Sequence, residues 1–167
     1  MSKMVNSDSD IEEIKKYLSY SPETGLVHWR DSLSNRVAKD AQAGCLTKAG
    51  YRQVKVFGKF YGEHRLAWAV VHGSWPKHQI DHINGVKSDN RIENLRDVEP
   101  HVNAQNKKRA QSNSISGVLG VKEVRGKWRA RITTKGVVKS LGTFLDIESA
   151  SNVYLSAKRS LHAGCTI

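Results

Sequence analysis

Between Gln79 and Arg109 the chain crowds Asp81, His82, Asn84, Asn90, Asn94, His101, Asn103 and Asn106 into one short stretch. Each of these side-chain types has a use at a phosphodiester bond. An aspartate is a hard anionic ligand for Mg²⁺, and an asparagine carbonyl adds a neutral oxygen. Few protein ligands are needed, because Mg²⁺ keeps several waters and accepts phosphate oxygens from a substrate. A histidine that titrates near neutrality can take a proton from an attacking water, worth roughly 10²–10⁴ in rate. A cation at the phosphate stabilises the charge that develops on the leaving oxygen.

These residues work together only if the local elements bring them together. "QIDHI" reads as a short strand, "NGVKSDN" as a polar loop and "IENLRDV" as a second strand. A helix opens at Pro100, a residue suited to the first helical turn, and runs through "HVNAQNKKRA". On a regular strand Asp81 and His82 point to opposite faces, so they share a site only where the strand ends or kinks. Asn103 and Asn106, three apart, share one helix face. Taken singly, such residues are ordinary turn formers. The array is the unusual feature: an Asp-His pair, twelve residues from His82 to Asn94, and nine more to Asn103.

Upstream, Ile11, Ile14, Tyr17 and Leu18 follow Asp10 at helical spacing and predict a short capped helix. Pro22 and Gly25 then mark the turn of a hairpin. Residues 31–50 are polar and irregular. "YRQVKVF" and "FYGEH" predict a second hairpin around Gly58-Lys59, and "HRLAWAVVHG" a helix that stops at Gly73. Downstream, "QSNSISG" is the clearest linker. The last fifty residues read as three strands with turns at Arg125-Gly126 and Lys135-Gly136. A helix capped by Asp146 follows, with Ile147, Ala150, Val153, Tyr154, Ala157 and Leu161 on one face. In "WRARITT", Trp128, Ala130 and Ile132 face one side and Arg129, Arg131 and Thr133 the other.

Composition narrows the classes. The 167 residues carry 27 Lys and Arg against 16 Asp and Glu, a net charge of +11, so polyanions are the natural partners. Residues 64–100 hold five basic and five acidic groups, and the blocks on both sides are basic. A basic frame around a local acidic patch suits a protein that binds DNA and also holds a cation. No apolar run approaches the ~18 residues of a membrane span, and "MSKMVNSDSD" has no signal-peptide core, so a cytoplasmic protein is expected. Cys45 and Cys165 form no CxxC pair, which argues against a disulfide scaffold and against a structural zinc.

The stretch "IDHINGVKSDNRIENLRDVEPHVNAQNKK" resembles the HNH nucleases, in the subgroup of phage and group I intron homing endonucleases. "YGEHRLAW" and "YSPETGLVHW" resemble segments that precede the motif in such enzymes. The resemblance implies a ββα-metal core around one divalent ion, Mg²⁺ or alternatively Mn²⁺. It implies that Asp81 and Asn103 are metal ligands, that His82 is the general base, and that Asn94 braces the loop between the strands. It also implies work inside a phage-infected bacterial cell. Many relatives carry CxxC zinc pairs, and this chain has none.

Residues 115–163 resemble the plant Apetala/ethylene-response DNA-binding domains, with the Trp-Arg strand, the "LGTF" strand and the Ala/Tyr helix in order. That implies a sheet lying in the major groove of double-stranded DNA, with Arg reading guanine and Lys holding phosphate. Arg125, Arg129 and Arg131 are the foremost candidates for contact, with Lys122, Lys127 and Lys139 on adjoining strands or turns. Lys107, Lys108 and Arg109, at the end of the nuclease helix, would meet phosphates.

The expected fold class is α+β, with a small ββα-metal core, N-terminal β-hairpins and a separate three-stranded-sheet-plus-helix domain. The expected divisions are a DNA-contacting extension (1–63), the nuclease core (64–110), a linker (111–117) and the DNA-binding domain (118–167). The expected function is metal-dependent DNA cleavage by a monomer, with a homodimer as the alternative assembly. A non-catalytic DNA-binding regulator and an RNA-directed protein are the rival readings.

Overall fold

The computed structural model describes residues 8–31, 37–111 and 114–166. Part of the irregular stretch 31–50, and Ser112 and Asn113 of the expected linker, lie outside the described residues. The class is α+β, and the chain divides into two compact units, residues 1–99 and 100–167.

In the first unit, helix α1 (Asp8–Tyr17) runs into strand β1 (Leu18–Tyr20), which pairs antiparallel with β2 (Val27–Trp29). Asp10 lies inside the first turn of α1 rather than before it. Ile11 and Ile14, three apart, turn the apolar face of α1 inward and are almost fully buried. Strands β3 (Cys45–Leu46), β4 (Arg52–Val56) and β5 (Lys59–Gly62) form an antiparallel sheet in that order. The β4–β5 turn is Phe57-Gly58, one residue earlier than the sequence reading put it, with φ of 49° and 77°. Two successive left-handed residues match the twist of a two-residue hairpin, and the glycine takes one of them without strain.

Helix α2 (Glu63–His72) follows directly and ends at Gly73 in the left-handed conformation, as the sequence predicts. Leu66 of α2 joins Ile14, Leu18, Val27, Val54, Val56 and Tyr61 in one core, with Trp75 stacked on Tyr61. Strands β6 (Gln79–His82) and β7 (Leu95–Val98) then pair antiparallel, and Ile80 and Leu95 pack with Ala67 of α2. Ile92–Asn94, expected as the start of the second strand, is a 3₁₀ turn that delivers the chain into β7.

The second unit opens with α3 (Pro100–Gln105). The helix expected to continue through "NKKRA" stops there. The Asn106 amide donates to the carbonyl of Asn103, and its side chain is held by the Thr166 hydroxyl. The Lys107 carbonyl accepts from Lys158. These bonds to the C-terminal segment replace the next helical turn, so Lys107, Lys108 and Arg109 follow the helix instead of riding on it. Strands β8 (Val121–Val124), β9 (Lys127–Thr134) and β10 (Val137–Phe144) form a three-stranded antiparallel sheet with β9 in the middle. Both predicted turns have two residues at positive φ. Helix α4 (Ile147–Leu161) is capped by Asp146, whose carboxylate accepts from the Ser149 amide at 2.7 Å. Ala150 and Tyr154 pack on Val121, Ala130 and Ile132. Leu161, expected on that face, is exposed. Lys158 continues the i, i+4 series from Ala150 and Tyr154 and is itself buried. No described helix is long and apolar enough to cross a membrane.

Candidate functional site

Strand β6 has four residues, and its end is where the chemistry lies. Asp81 and His82 are both buried there, at 7% and 5% exposure, and β6 stops at His82. The stop is enforced: Gly85, at φ 77°, turns the chain back so that its amide reaches the His82 carbonyl at 2.8 Å. The Ile83 amide meanwhile takes the Asn94 carbonyl at 2.9 Å. Asp81 faces Arg96 across the β6–β7 register, and the guanidinium donates from Nε and Nη2 to Oδ2 at 2.9 and 2.7 Å.

Asn94 spans the loop between the two strands. Its Oδ1 accepts the Asn84 amide at 2.9 Å and its Nδ2 donates to the Asp89 carbonyl at 2.7 Å. Asn84 in turn accepts from the Val86 amide, the local bond expected of an asparagine in a turn. Arg91 grips Asp89 with Nε and Nη2 and holds that carboxyl down at about 2.

His82 is enclosed by three further side chains. Its Nε2 lies 3.1 Å from Oδ1 of Asn90, which is fully buried. The His64 ring, from the first turn of α2, meets it edge-on with centroids 5.5 Å apart. Tyr51 closes the cluster, 5.4 Å from His64 and 6.0 Å from His82, and Lys87 lies over the Tyr51 ring. Burial pushes His82 below the usual imidazole range, while the Asn90 bond and the charges of Asp81 and Asp89 pull the other way. His64 is pushed further, to about 4, by burial first and then by His82 and Arg65. Both rings are therefore neutral at neutral pH, the state in which an imidazole can accept a proton.

Sequence reasoning gave His64 less weight than His82, passed over Tyr51 and Arg96, and counted Asn90 only as one of a crowd. One signal was available for His64. It stands two residues after Gly62, where an added Cβ would sit 2.8 Å from the imidazole. A glycine with ordinary φ at the end of a strand marks a close approach.

Asn103 is half-buried on α3, in the second unit, whereas Asp81, His82 and Asn94 belong to the first. Among the described residues no three His, Cys, Asp or Glu side chains gather at one metal-sized site. The donors the sequence offers, a carboxylate and an amide carbonyl, are hard oxygens. They suit a cation that retains much of its water, although Arg96 already engages one Asp81 oxygen.

In the second unit Arg129 and Arg131 lie on the face of β9 opposite Ala130 and Ile132. Lys122 stands across from Arg129 on that face. With Lys107, Arg109 and Arg125 they line a groove of about 840 Å³ between the sheet and the segment leading into it. Lys127 shares the parity of the arginines at the start of β9. Lys139 does not, because it pairs with Ile132 and so stands on the side of the sheet that carries α4. Grouping Lys139 with the arginines from sequence is thereby corrected. Lys108 is half-buried beside the groove segment.

The HNH endonuclease family model matches residues 61–105, from β5 to the end of α3. Protein 3.8 of Escherichia phage T7 is similar to the chain, 31% identical over 114 residues, which cover 66% of this chain and 93% of that protein. No solved structure matches.

Proposed function

The chain belongs to one family with that T7 protein and carries an HNH endonuclease domain, and on this premise we propose a metal-dependent DNA endonuclease of the homing type. The observation that carries the reading is the placement of His82: a buried imidazole at the point where a strand stops, next in the chain to a buried aspartate. His82 takes the proton of the attacking water. Asn94 keeps the strand-to-strand loop closed, so that the His82 carbonyl and the turn at Gly85 hold the ring's backbone in place. Asp81, with Asn103 carried over from the family resemblance, would hold Mg²⁺ or Mn²⁺. That ion would supply charge stabilisation at the phosphate and the leaving oxygen.

Double-stranded DNA would dock on the second unit, a reading supported by its sequence resemblance to the Apetala-type domains and by the arginines on one face of its sheet. Arg129, Arg131, Lys122 and Arg125 form the contact face, with Lys107, Lys108, Arg109 and Lys127 as flanking phosphate contacts. The protein would act as a monomer inside the cell that holds the DNA.

Supercoiled plasmid incubated with the protein and Mg²⁺ should be nicked or linearised, and EDTA should stop it. His82→Ala should lose cleavage and keep DNA affinity within about threefold. Undiminished cutting by that variant would remove His82 from the mechanism. One observation favours a non-catalytic DNA-binding role, namely the guanidinium already seated on Asp81. Under that reading the plasmid stays intact with every divalent ion while gel-shift binding persists.

A further inference from the structure

Accepting His82 as the base, we propose that Asn90 is the positioning residue that selects its tautomer, and that the β1–β2 hairpin exists in part to hold Asn90 still. A neutral imidazole carries one N–H, and the nitrogen that bears it is set by what the ring's other partners accept. Asn90 Oδ1 can only accept, and it lies 3.1 Å from Nε2. The proton therefore resides on Nε2 and the lone pair on Nδ1, the nitrogen that takes the proton from water. When it does, the ring becomes an imidazolium, and the bond from Nε2–H to the amide oxygen becomes charge-assisted and stronger.

Asn90 can do this because it cannot move. Its side chain is 1% exposed. Tyr20, at the end of β1, donates from Oη to the Asn90 carbonyl at 2.7 Å. The turn after β1 presses on the same peptide: a Cβ on Gly25 would lie 2.6 Å from the Asn90 carbonyl carbon and 2.4 Å from the Arg91 nitrogen. Gly25 also has φ of 73°, so both space and conformation require glycine there. One residue further, the Ile92 amide donates to the Pro22 carbonyl at 3.2 Å. The hairpin thus grips residues 90–92 from outside while Asn94 grips the loop from inside. Nδ2 of Asn90 is buried with no partner among the described residues, so the amide's bonding is all on the side of His82. An unsatisfied buried N–H is costly, and such a cost persists where the oxygen at the other end has a use.

The test reads the tautomer directly. Histidine-¹⁵N-labelled full-length protein, without metal and above the pH at which the ring titrates, is examined by long-range ¹H–¹⁵N correlation, with His82→Gln to assign the signal. His82 should be protonated on Nε2 in the wild type and in Asn90→Asp, which keeps the acceptor. In Asn90→Leu, which keeps the volume and loses the oxygen, the two tautomers should mix. On plasmid, Asn90→Leu should lower kcat on the order of ten- to a hundred-fold with KM little changed, as for other residues that orient an active group. A wild-type His82 protonated on Nδ1, or an unchanged tautomer in Asn90→Leu, overturns the proposal. The wild-type spectrum decides even if the leucine variant does not fold. It also stands apart from cleavage: a protein that cuts no DNA but shows the Nε2–H ring would sink the nuclease reading and leave this one intact.

Discussion

Asp81 and Arg96 face each other across the β6–β7 pair, and the guanidinium places two N–H groups on a single oxygen of the carboxylate. The pair has one buried member and one that is three-quarters buried. The arginine holds the aspartate in a fixed orientation at the end of β6 and also opposes any second cation drawn to it.

Arg96→Ala should therefore act on stability and on metal together. Removing the cation leaves a buried carboxylate without its main partner, a loss of the order of 2–4 kcal/mol. Added Mg²⁺ should return more of that loss in the variant than it adds to the wild type. Denaturant melts with and without Mg²⁺ measure both. A variant as stable as the wild type would show that the pair is dispensable.

Stability should fall on the acid side of neutrality because of His64. Its folded value of about 4 lies below the 6.5 of an ordinary histidine. Between those values the unfolded chain binds a proton that the folded chain refuses, so stability rises with pH across that window. The contribution is complete above about pH 6.5 and is lost as pH falls toward 4, on the order of 2–3 kcal/mol. His82 shifts in the same direction, so His64→Gln should flatten the slope without abolishing it. Denaturant midpoints of metal-free protein across that range are the measurement, and identical slopes would rule His64 out as a source.

Arg129→Ala with Arg131→Ala should weaken DNA binding and reduce its salt dependence. Each phosphate that the variant no longer neutralises lowers the slope of log K against log salt by roughly 0.9. Lys139→Ala, on the opposite side of the sheet, should leave the slope alone. A larger effect from Lys139 than from the two arginines would place the docking face on the helix side.

Gly120→Ala should unsettle the second unit. Its φ is 68°, and an added Cβ would lie 2.0 Å from the ring of Tyr154, which is buried against the sheet. Strain and overpacking together cost on the order of 2–4 kcal/mol. Gly126→Ala, at φ 73° but in open space, should cost less. Amide exchange in β8–β10 reads the difference, and equal protection in both variants would contradict the packing described.

Several elements could be read directly from the residues because their signals are local. Gly73 ends α2, Asp146 caps α4, and the turns at Arg125-Gly126 and Lys135-Gly136 set the alternation that puts Arg129 and Arg131 on one face. Other readings failed where a distant segment intervened. The stretch "NKKRA" has helical composition, yet α3 ends at Gln105 because Thr166 and Lys158 take the polar groups of Asn106 and Lys107. Lys139 reads as one more cation on a basic sheet until its pairing with Ile132 sets its side.

The α+β elements, the basic character and the Asp-His-Asn spacing are all legible in the chain as written, because propensity, capping and charge act between near neighbours. What surrounds His82 is not. Asn90, His64 and Tyr51 reach it from a loop, a helix start and a strand edge, and Tyr20 steadies Asn90 from seventy positions away. Contacts of that kind are set by how buried surfaces pack and by which polar groups must find partners out of water, and neither quantity exists until the chain has folded.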